Sequence, residues 1–309
     1  MAAWLQSHLD VEACEIMESP AKKRKIYGMP PIGFGTYKLG DLTEECVSKA
    51  LQTGYRVIDT AQIYKNEKAV GKAIKKSGLD REEVFIITKV WKSNHGYQRC
   101  RDSVLRSLKD LQVDYIDLVL IHYPCAKTGW PLKIGQTNPP DWHPNMRVET
   151  WRALEDLHLE GCVRRIGVSN YAIRHLEDLE SCRIKPYLNQ VELHPLLQQR
   201  DLVQYCQQRD ITIQAFASLG GGDLGAPLTK NLQVKAVARE LDKTPAQVLL
   251  KWARQKGYSI LPKSKNKTRM EQNWQLDHFM LLPQHMTMLD SLEQGARFTW
   301  KQANPNYIQ

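Results

Sequence analysis

Eight short apolar runs, each followed by a longer stretch, most of helical periodicity, set the strongest limit on how this chain folds. The runs are Ile32–Tyr37, Arg56–Asp59, Val84–Lys89, Tyr115–His122, Arg165–Ser169, Tyr187–Glu192, Ile211–Phe216 and Tyr258–Leu261. They are rich in Ile and Val, as strands buried on both faces are. Amphipathic patterns lie between them at Leu42–Thr53, Glu67–Ser77, Arg99–Leu111, Val148–Glu160, Ala172–Ser181, Gln199–Arg209 and Pro245–Lys256. Thr244 stands ahead of Pro245, a capping residue followed by proline at the first helical position. Strands alternating with helices pair in parallel through crossover connections. Eight such units in 309 residues fit the α/β class, as a closed (β/α)8 barrel rather than an open sheet. A small N-terminal β-hairpin is expected at Lys25–Pro30, and extra C-terminal helices at Lys267–Leu276 and Gln284–Glu293. No repeat or low-complexity linker divides the chain. We expect residues 1–23 to be a flexible N-terminal extension and residues 24–309 to form a single barrel domain.

Barrels of this kind carry their reactive groups at the carboxyl ends of the strands. Here those ends read Thr36-Tyr37, Asp59, Lys89, His122, Ser169-Asn170, Asn189-Gln190, Phe216 and Pro262-Lys263. Every one is polar or aromatic, which a purely structural rim does not require. Asp59, Lys89 and His122 end three consecutive strands, and Tyr64 lies in the loop after Asp59. Carbonyl reduction needs a hydride at carbon and a proton at the developing alkoxide. A tyrosine, with an ordinary pKa of about 10, is a sluggish acid near neutrality, and a neighbouring ammonium lowers that value. Tyr64 is therefore the expected proton donor, Lys89 its tuner, Asp59 the anchor of Lys89, and His122 the group that positions the carbonyl oxygen. Singly, each has a plainer reading: a helix cap, a solvated lysine, a core histidine. Together at adjacent strand ends they make a proton-transfer set.

The formal net charge is +9, which raises the question of an anionic partner. Most Lys and Arg residues are spread along helices beside acids, as in Asp80-Arg81-Glu82-Glu83. That is a solvated face, and no nucleic-acid partner is expected. Two clusters are denser. Lys22-Lys23-Arg24-Lys25 has the composition of a nuclear-import signal but precedes the expected hairpin and reads as a solvated loop. The other is Lys263-Ser264-Lys265-Asn266-Lys267-Thr268-Arg269. The seven cysteines are scattered without a C-x-x-C pair. They read as thiols in a reducing compartment, with no metal site and no disulfide framework. Residues 1–18 lack the basic start and apolar stretch of a secretory signal, and no run approaches the roughly 20 apolar residues of a spanning helix. The expectation is a cytoplasmic protein, monomeric and free of membranes.

Long connections within a compact domain are commonly functional or disordered. Pro124 to Arg147 is one, carrying Trp130 and Trp142. Gly220, Gly222 and Gly225 spell G-x-G-x-x-G, but they follow the seventh strand instead of opening a Rossmann unit. The dinucleotide fingerprint is therefore not what they form.

These motifs together resemble the aldo-keto reductase family. Gly54-Tyr55-Arg56-Val57-Ile58-Asp59-Thr60-Ala61-Gln62-Ile63-Tyr64-Lys65-Asn66-Glu67 is similar to the family's stretch around its Asp and Tyr. Ile87-Thr88-Lys89-Val90-Trp91 and Leu120-Ile121-His122-Tyr123-Pro124 resemble its lysine and histidine strands. Further matches are Ile166–Asn170, Asn189–Glu192 and Ile260–Ser264, in family order from about Met29 to Asn273. The resemblance implies a TIM barrel, the catalytic tetrad Asp59, Tyr64, Lys89 and His122, and NADPH as hydride donor. The cofactor residues it implies are Gly35, Thr36, Tyr37, Asp59, Ser169, Asn170, Gln190, Phe216, Ser218, Leu219, Lys263, Ser264, Arg269, Gln272 and Asn273.

Within that set Phe216 would stack on the nicotinamide and Asn273 contact the adenine. Lys263, Ser264 and Arg269 would take the 2′-phosphate that distinguishes NADPH from NADH. Like charges near a helix start are unfavourable without an anion, which favours NADPH on physical grounds as well. Tyr37, Trp91 and Tyr123 would line an apolar pocket for a small-molecule carbonyl substrate. The polar tail after Phe298 is expected to add little wall, leaving a pocket for small or extended carbonyls. The chain departs from the family pattern at Tyr123, where Trp is frequent, and at Phe216-Ala217-Ser218-Leu219, where Tyr-Ser-Pro-Leu is common. Gln272 replaces a frequent Glu. None of these touches the tetrad. The rival reading is a protein that keeps the cofactor site without turnover.

Overall fold

Whether the apolar runs close on themselves decides the architecture, and they do. A computed structural model describes residues 28–126, 142–220, 227–300 and 304–308. Its strands are β1 Gly33–Gly35, β2 Val57–Asp59, β3 Phe85–Val90, β4 Leu118–Ile121, β5 Ile166–Ser169, β6 Leu188–Glu192, β7 Thr212–Phe216 and β8 Ser259–Ile260. All neighbours pair in parallel in sequence order. An isolated parallel bridge from Ile32 to Ile260 joins the two edges. The Gly35 amide bonds Pro262 O at 3.1 Å and the Ile260 amide bonds Pro31 O at 3.0 Å. Each observed strand lies within its expected run except β3, which continues one residue further to Val90.

The helices are α1 Thr43–Thr53, α2 Glu67–Lys76, α3 Tyr97–Leu111, α4 Trp142–Leu159, α5 Ile173–Glu177, α6 Arg200–Gln207, α7 Pro227–Lys230, α8 Leu232–Glu240, α9 Pro245–Gln255, α10 Lys267–Trp274 and α11 Pro283–Asp290. Four differ most from expectation. α4 begins at Trp142, so the last residues of the expected loop are helical, and Pro144 is tolerated because first-turn amides need no intrahelical partner. α5 stops early because its last turns tighten, with the Leu179 and Glu180 amides bonding Leu176 O and Glu177 O. α7 and α8 were not expected, although Asn231 carries a cap signal. Its side chain accepts from the Gln233 and Val234 amides at 2.9 and 3.1 Å.

The two-residue period of the strands sorts the core into two layers. Val57, Phe85, Ile87, Leu118, Leu120 and Leu188 fill the barrel interior as one buried cluster. The alternate residues, such as Ile58, Ile86, Val119, Ile121, Val168 and Val191, pack outward under the helices. Gly167 keeps the interior closed. A Cβ there would meet Leu188 O at 2.7 Å and Leu120 Cδ2 at 2.8 Å, inside van der Waals contact. Among the described residues no helix is long and apolar enough to cross a membrane.

Several expectations lie outside the described residues: the extension at 1–23, the basic cluster at Lys22–Lys25, Trp130, and Gly222 and Gly225 of the glycine string. So do Lys25–Tyr27 of the expected hairpin. Gly28–Pro30, which would complete it, form no strand.

Candidate active site

Inward parity places the reactive groups. Val57 points into the barrel, so Asp59 does too; from Phe85 and Ile87 the same step reaches Lys89, and from Leu118 and Leu120 it reaches His122. Lys89 is fully buried and Asp59 nearly so. The Lys89 ammonium donates to Asp59 Oδ1 and Oδ2 at 2.7 and 2.8 Å and to Thr60 O at 2.9 Å. Its three hydrogens therefore have three acceptors, the condition under which a buried charge is tolerated. The Tyr64 ring stands 5.1 Å from the Lys89 nitrogen and edge-on to His122 at 5.8 Å. No described residue bonds the Tyr64 hydroxyl. The four residues expected to act together are brought together.

Their protonation differs from expectation in one respect. Part of the Tyr64 ring reaches solvent, yet burial of the phenol and the Asp59 charge push its pKa well above the ordinary value. Lys89 was expected to lower it. Its charge is instead matched at short range by Asp59, and burial holds its own pKa below the ordinary ammonium value. Burial and the Lys89 charge hold His122 well below the usual imidazole range, so it is neutral. Its Nδ1 is buried without a partner among the described residues.

The expected cofactor residues spread around the same rim. Gly35 ends β1, and the Thr36 hydroxyl donates to Asp59 O at 2.9 Å. Tyr37 is half exposed, with its ring 5.0 Å from Tyr64. The Ser169 hydroxyl donates to Gln190 O at 2.8 Å, and Asn170 Nδ2 donates to His122 O at 2.9 Å. Asn170 adopts a left-handed φ of 63°, and its Oδ1 is buried without a partner among the described residues. Gln190 Nε2 is committed to Asp59 Oδ2 at 2.8 Å and Gln214 Oε1 at 2.7 Å, so only its carbonyl oxygen is left to face a ligand. Phe216 ends β7, followed by Ala217 at a φ of 52° and buried Ser218. Leu219 is half-buried against the core.

Beyond β8, Ser264 is buried and forms a tight turn. Its hydroxyl oxygen accepts from the Asn266 amide at 3.0 Å and the Arg269 Nε at 3.4 Å. Lys263 and Arg269 are exposed beside it, Gln272 is half-buried and Asn273 is buried. A buried unpaired carboxamide oxygen, two left-handed non-glycine residues at strand ends and a turn ringed by cations suit a dinucleotide.

The pocket expectation needs two corrections. Trp91 faces His122 edge-on at 5.1 Å. Tyr123, however, has no exposed surface; it lies behind the wall and burial raises its phenol. Trp300 covers it at 4.6 Å and also approaches Trp91 at 6.2 Å and His122 at 6.3 Å. The tail after Phe298 thus supplies a wall, contrary to the expectation from its polar composition. The only available signal was a large aromatic in an otherwise polar segment.

The chain matches the aldo/keto reductase family over residues 31–294. It is 42% identical over 272 residues to the 9,11-endoperoxide prostaglandin H2 reductase of Trypanosoma cruzi, covering 87% of this chain and 89% of that protein. It is 40% identical over 272 residues to the glyoxal reductase of Bacillus subtilis, covering 87% and 91%. The crystal structure of a Bombyx mori aldo-keto reductase in complex with NADP matches with a TM-score of 0.79 at 32% identity, covering 90% of this chain and 95% of that one. The chain belongs to the aldo/keto reductase family. It is an NADP(H)-dependent oxidoreductase of carbonyl compounds.

Proposed function

We propose that the protein reduces small aldehydes and ketones, with Tyr64 as general acid. The observation that carries this reading is the buried Lys89–Asp59 pair facing the Tyr64 ring at 5.1 Å. Bound NADPH supplies the hydride at the carbonyl carbon. Neutral His122 orients the carbonyl oxygen by hydrogen bonding without competing as an acid. The phenol of Tyr64 keeps its proton across the working pH range and yields it to an alkoxide, a far stronger base than a phenolate. The tyrosinate left behind forms beside the Lys89 ammonium, which opposes its charge. Asp59 keeps that ammonium in place, and Gln190 keeps Asp59 in place.

For the cofactor, Ser169, Asn170 and Gln190 offer acceptors to a carboxamide, and Phe216 a face for the nicotinamide ring. Ser218 and Leu219 line the way to Lys263, Ser264 and Arg269, which take the 2′-phosphate, and Gln272 and Asn273 take the adenine. Tyr37, Trp91 and Trp300 form the apolar wall for the substrate. A relative named glyoxal reductase supports a small carbonyl substrate. We also assign the protein to the cytoplasm as a monomer. The six described cysteines, all free thiols, support a reducing compartment.

The test is NADPH oxidation with a panel of aldehydes and ketones, wild type against Tyr64→Phe. General acid catalysis contributes about 10²–10⁴-fold, and the variant is expected to lose kcat by that factor while still binding NADPH. A wild type that binds NADPH but reduces no member of the panel would favour a non-enzymatic role.

A further inference from the structure

The carboxylate of Glu192 has no exposed surface and belongs to none of the groups assigned above. It follows Leu188 and Gln190 on the inward parity of β6, at the strand's carboxyl end. A buried carboxylate is tolerated only when its oxygens are satisfied. The chain's last segment supplies most of the partners. The Phe298 amide donates to Oε1 at 2.6 Å and the Thr299 amide to Oε2 at 3.1 Å. The Thr299 hydroxyl also donates to Oε2, and Arg297 Nη1 stands 3.6 Å from it. His194 Nε2 completes the set at 3.2 Å from Oε1, with its ring 5.0 Å from Phe298. Burial alone would raise this carboxyl's pKa, but the hydrogen bonds from His194, Thr299 and Phe298 outweigh it and the net shift is downward.

The residue after Thr299 is Trp300. It holds a left-handed φ of 56°, a conformation that a bulky side chain adopts only where its surroundings enforce it. Beyond it the tail is tied a second time, where Arg174 Nε and His175 Nε2 stand 2.8 and 2.9 Å from Ile308 O. Trp300 is thus held between two anchors, and its ring covers Tyr123 and approaches Trp91 and His122.

We propose that Glu192 is a positioning residue for substrate: its carboxylate clamps the carboxy-terminal segment so that Trp300 closes the pocket. This rests on the site as read under the proposed function. The clamp reaches the reacting atoms only through an apolar wall. It therefore governs how tightly a small carbonyl is held, not how fast the bound one reacts, and loss of such uniform binding raises KM with kcat unchanged. Removing the wall also makes room for larger substrates.

Steady-state kinetics with a small and a bulky aldehyde, on Glu192→Gln, Thr299→Ala and Trp300→Ala, test this. Glu192→Gln is expected to raise KM for the small aldehyde roughly tenfold, the size of a lost aromatic contact. Its kcat should stay within about twofold, and KM for the bulky aldehyde should fall. Trp300→Ala should do the same, and the double variant should go no further than Trp300→Ala alone. Thr299→Ala removes one hydroxyl from the half-buried tail and gives a smaller shift in the same direction, so the inference stays testable if Glu192→Gln fails to fold. Amide exchange at Phe298 and Thr299 should quicken in Glu192→Gln. A variant with lowered thermal stability and unchanged KM, a loss confined to kcat, or additive effects of Glu192→Gln and Trp300→Ala would each overturn the inference. A wild type that reduces no aldehyde would overturn the reading of the site beneath it, and that is visible before any variant is made.

Discussion

The two ends of the proposed ligand channel are built from opposite materials. At β2–β4 the charged pair Asp59 and Lys89 sits on strands, buried, with all three ammonium hydrogen bonds made inside the protein. Beyond β8 the charged groups sit on a loop and a helix start, with Lys263 and Arg269 exposed to solvent. In the buried end a charge is held by one geometry and cannot be removed without disturbing the core. At the exposed end charge is cheap to place, because water solvates it until an anion arrives. Chemistry and folding are therefore coupled at one end and separable at the other.

The sharpest way to break this comparison is Lys89→Met. Breaking a buried pair leaves an uncompensated charge, here Asp59, with a stability loss of about 3–5 kcal/mol. Activity should fall together with stability. Lys89→Met combined with Asp59→Asn should recover much of the stability, because the orphaned charge is gone, while activity stays lost. Chemical unfolding and NADPH oxidation on the same samples check both. A single variant that keeps wild-type stability would mean that Asp59 finds water, and the end is not dry.

At the exposed end, Arg269→Ala and Lys263→Ala are expected to leave stability within about 0.5 kcal/mol. A hydrogen bond to a charged group is worth about 1.5–3 kcal/mol, so KM for NADPH should rise roughly ten- to a hundredfold. KM for NADH, which lacks the 2′-phosphate, should change little. Equal losses with both cofactors would remove these residues from the phosphate site.

How much of this was legible follows the same division. The strands were readable because residues buried on both faces leave continuous Ile- and Val-rich runs, and the tetrad because its members fall on the inward parity at consecutive strand ends. The Lys89–Asp59 bond is local in the barrel even though the residues are far apart in sequence, since β2 and β3 are neighbours. What escaped was set by contacts with no period. Trp300 reaches the site from a tail tied to Glu192 of β6 and, beyond it, to Arg174 and His175. Tyr123 follows the right strand but is covered by that same Trp. The upward shift on Tyr64 comes first from burial of its phenol and then from the Asp59 charge, and no spacing encodes that burial. α8 escaped as well, although Asn231 marks its start and Val234, Val237 and Ala238 recur at helical spacing.

The buried end also carries an acid liability that the exposed end does not. His95 is fully buried within the connection from β3 to α3, and neither ring nitrogen has a partner among the described residues. Burial, with the charges of Arg147, His143, Lys92 and Arg99, lowers its pKa to about 3. In the folded protein it stays neutral where the unfolded chain, with an ordinary value of about 6.5, binds a proton. Stability contributed by the neutral form is thus fully present above the unfolded value and is lost as pH falls from there toward the folded value. One unit below the unfolded pKa the loss is about 1.4 kcal/mol. Chemical unfolding at about pH 7.5 and about pH 5.5 should show His95→Leu losing less stability on acidification than wild type by that amount. An equal loss in both would place the acid sensitivity in other groups, His122 and His175 first among them, since burial lowers their pKa as well.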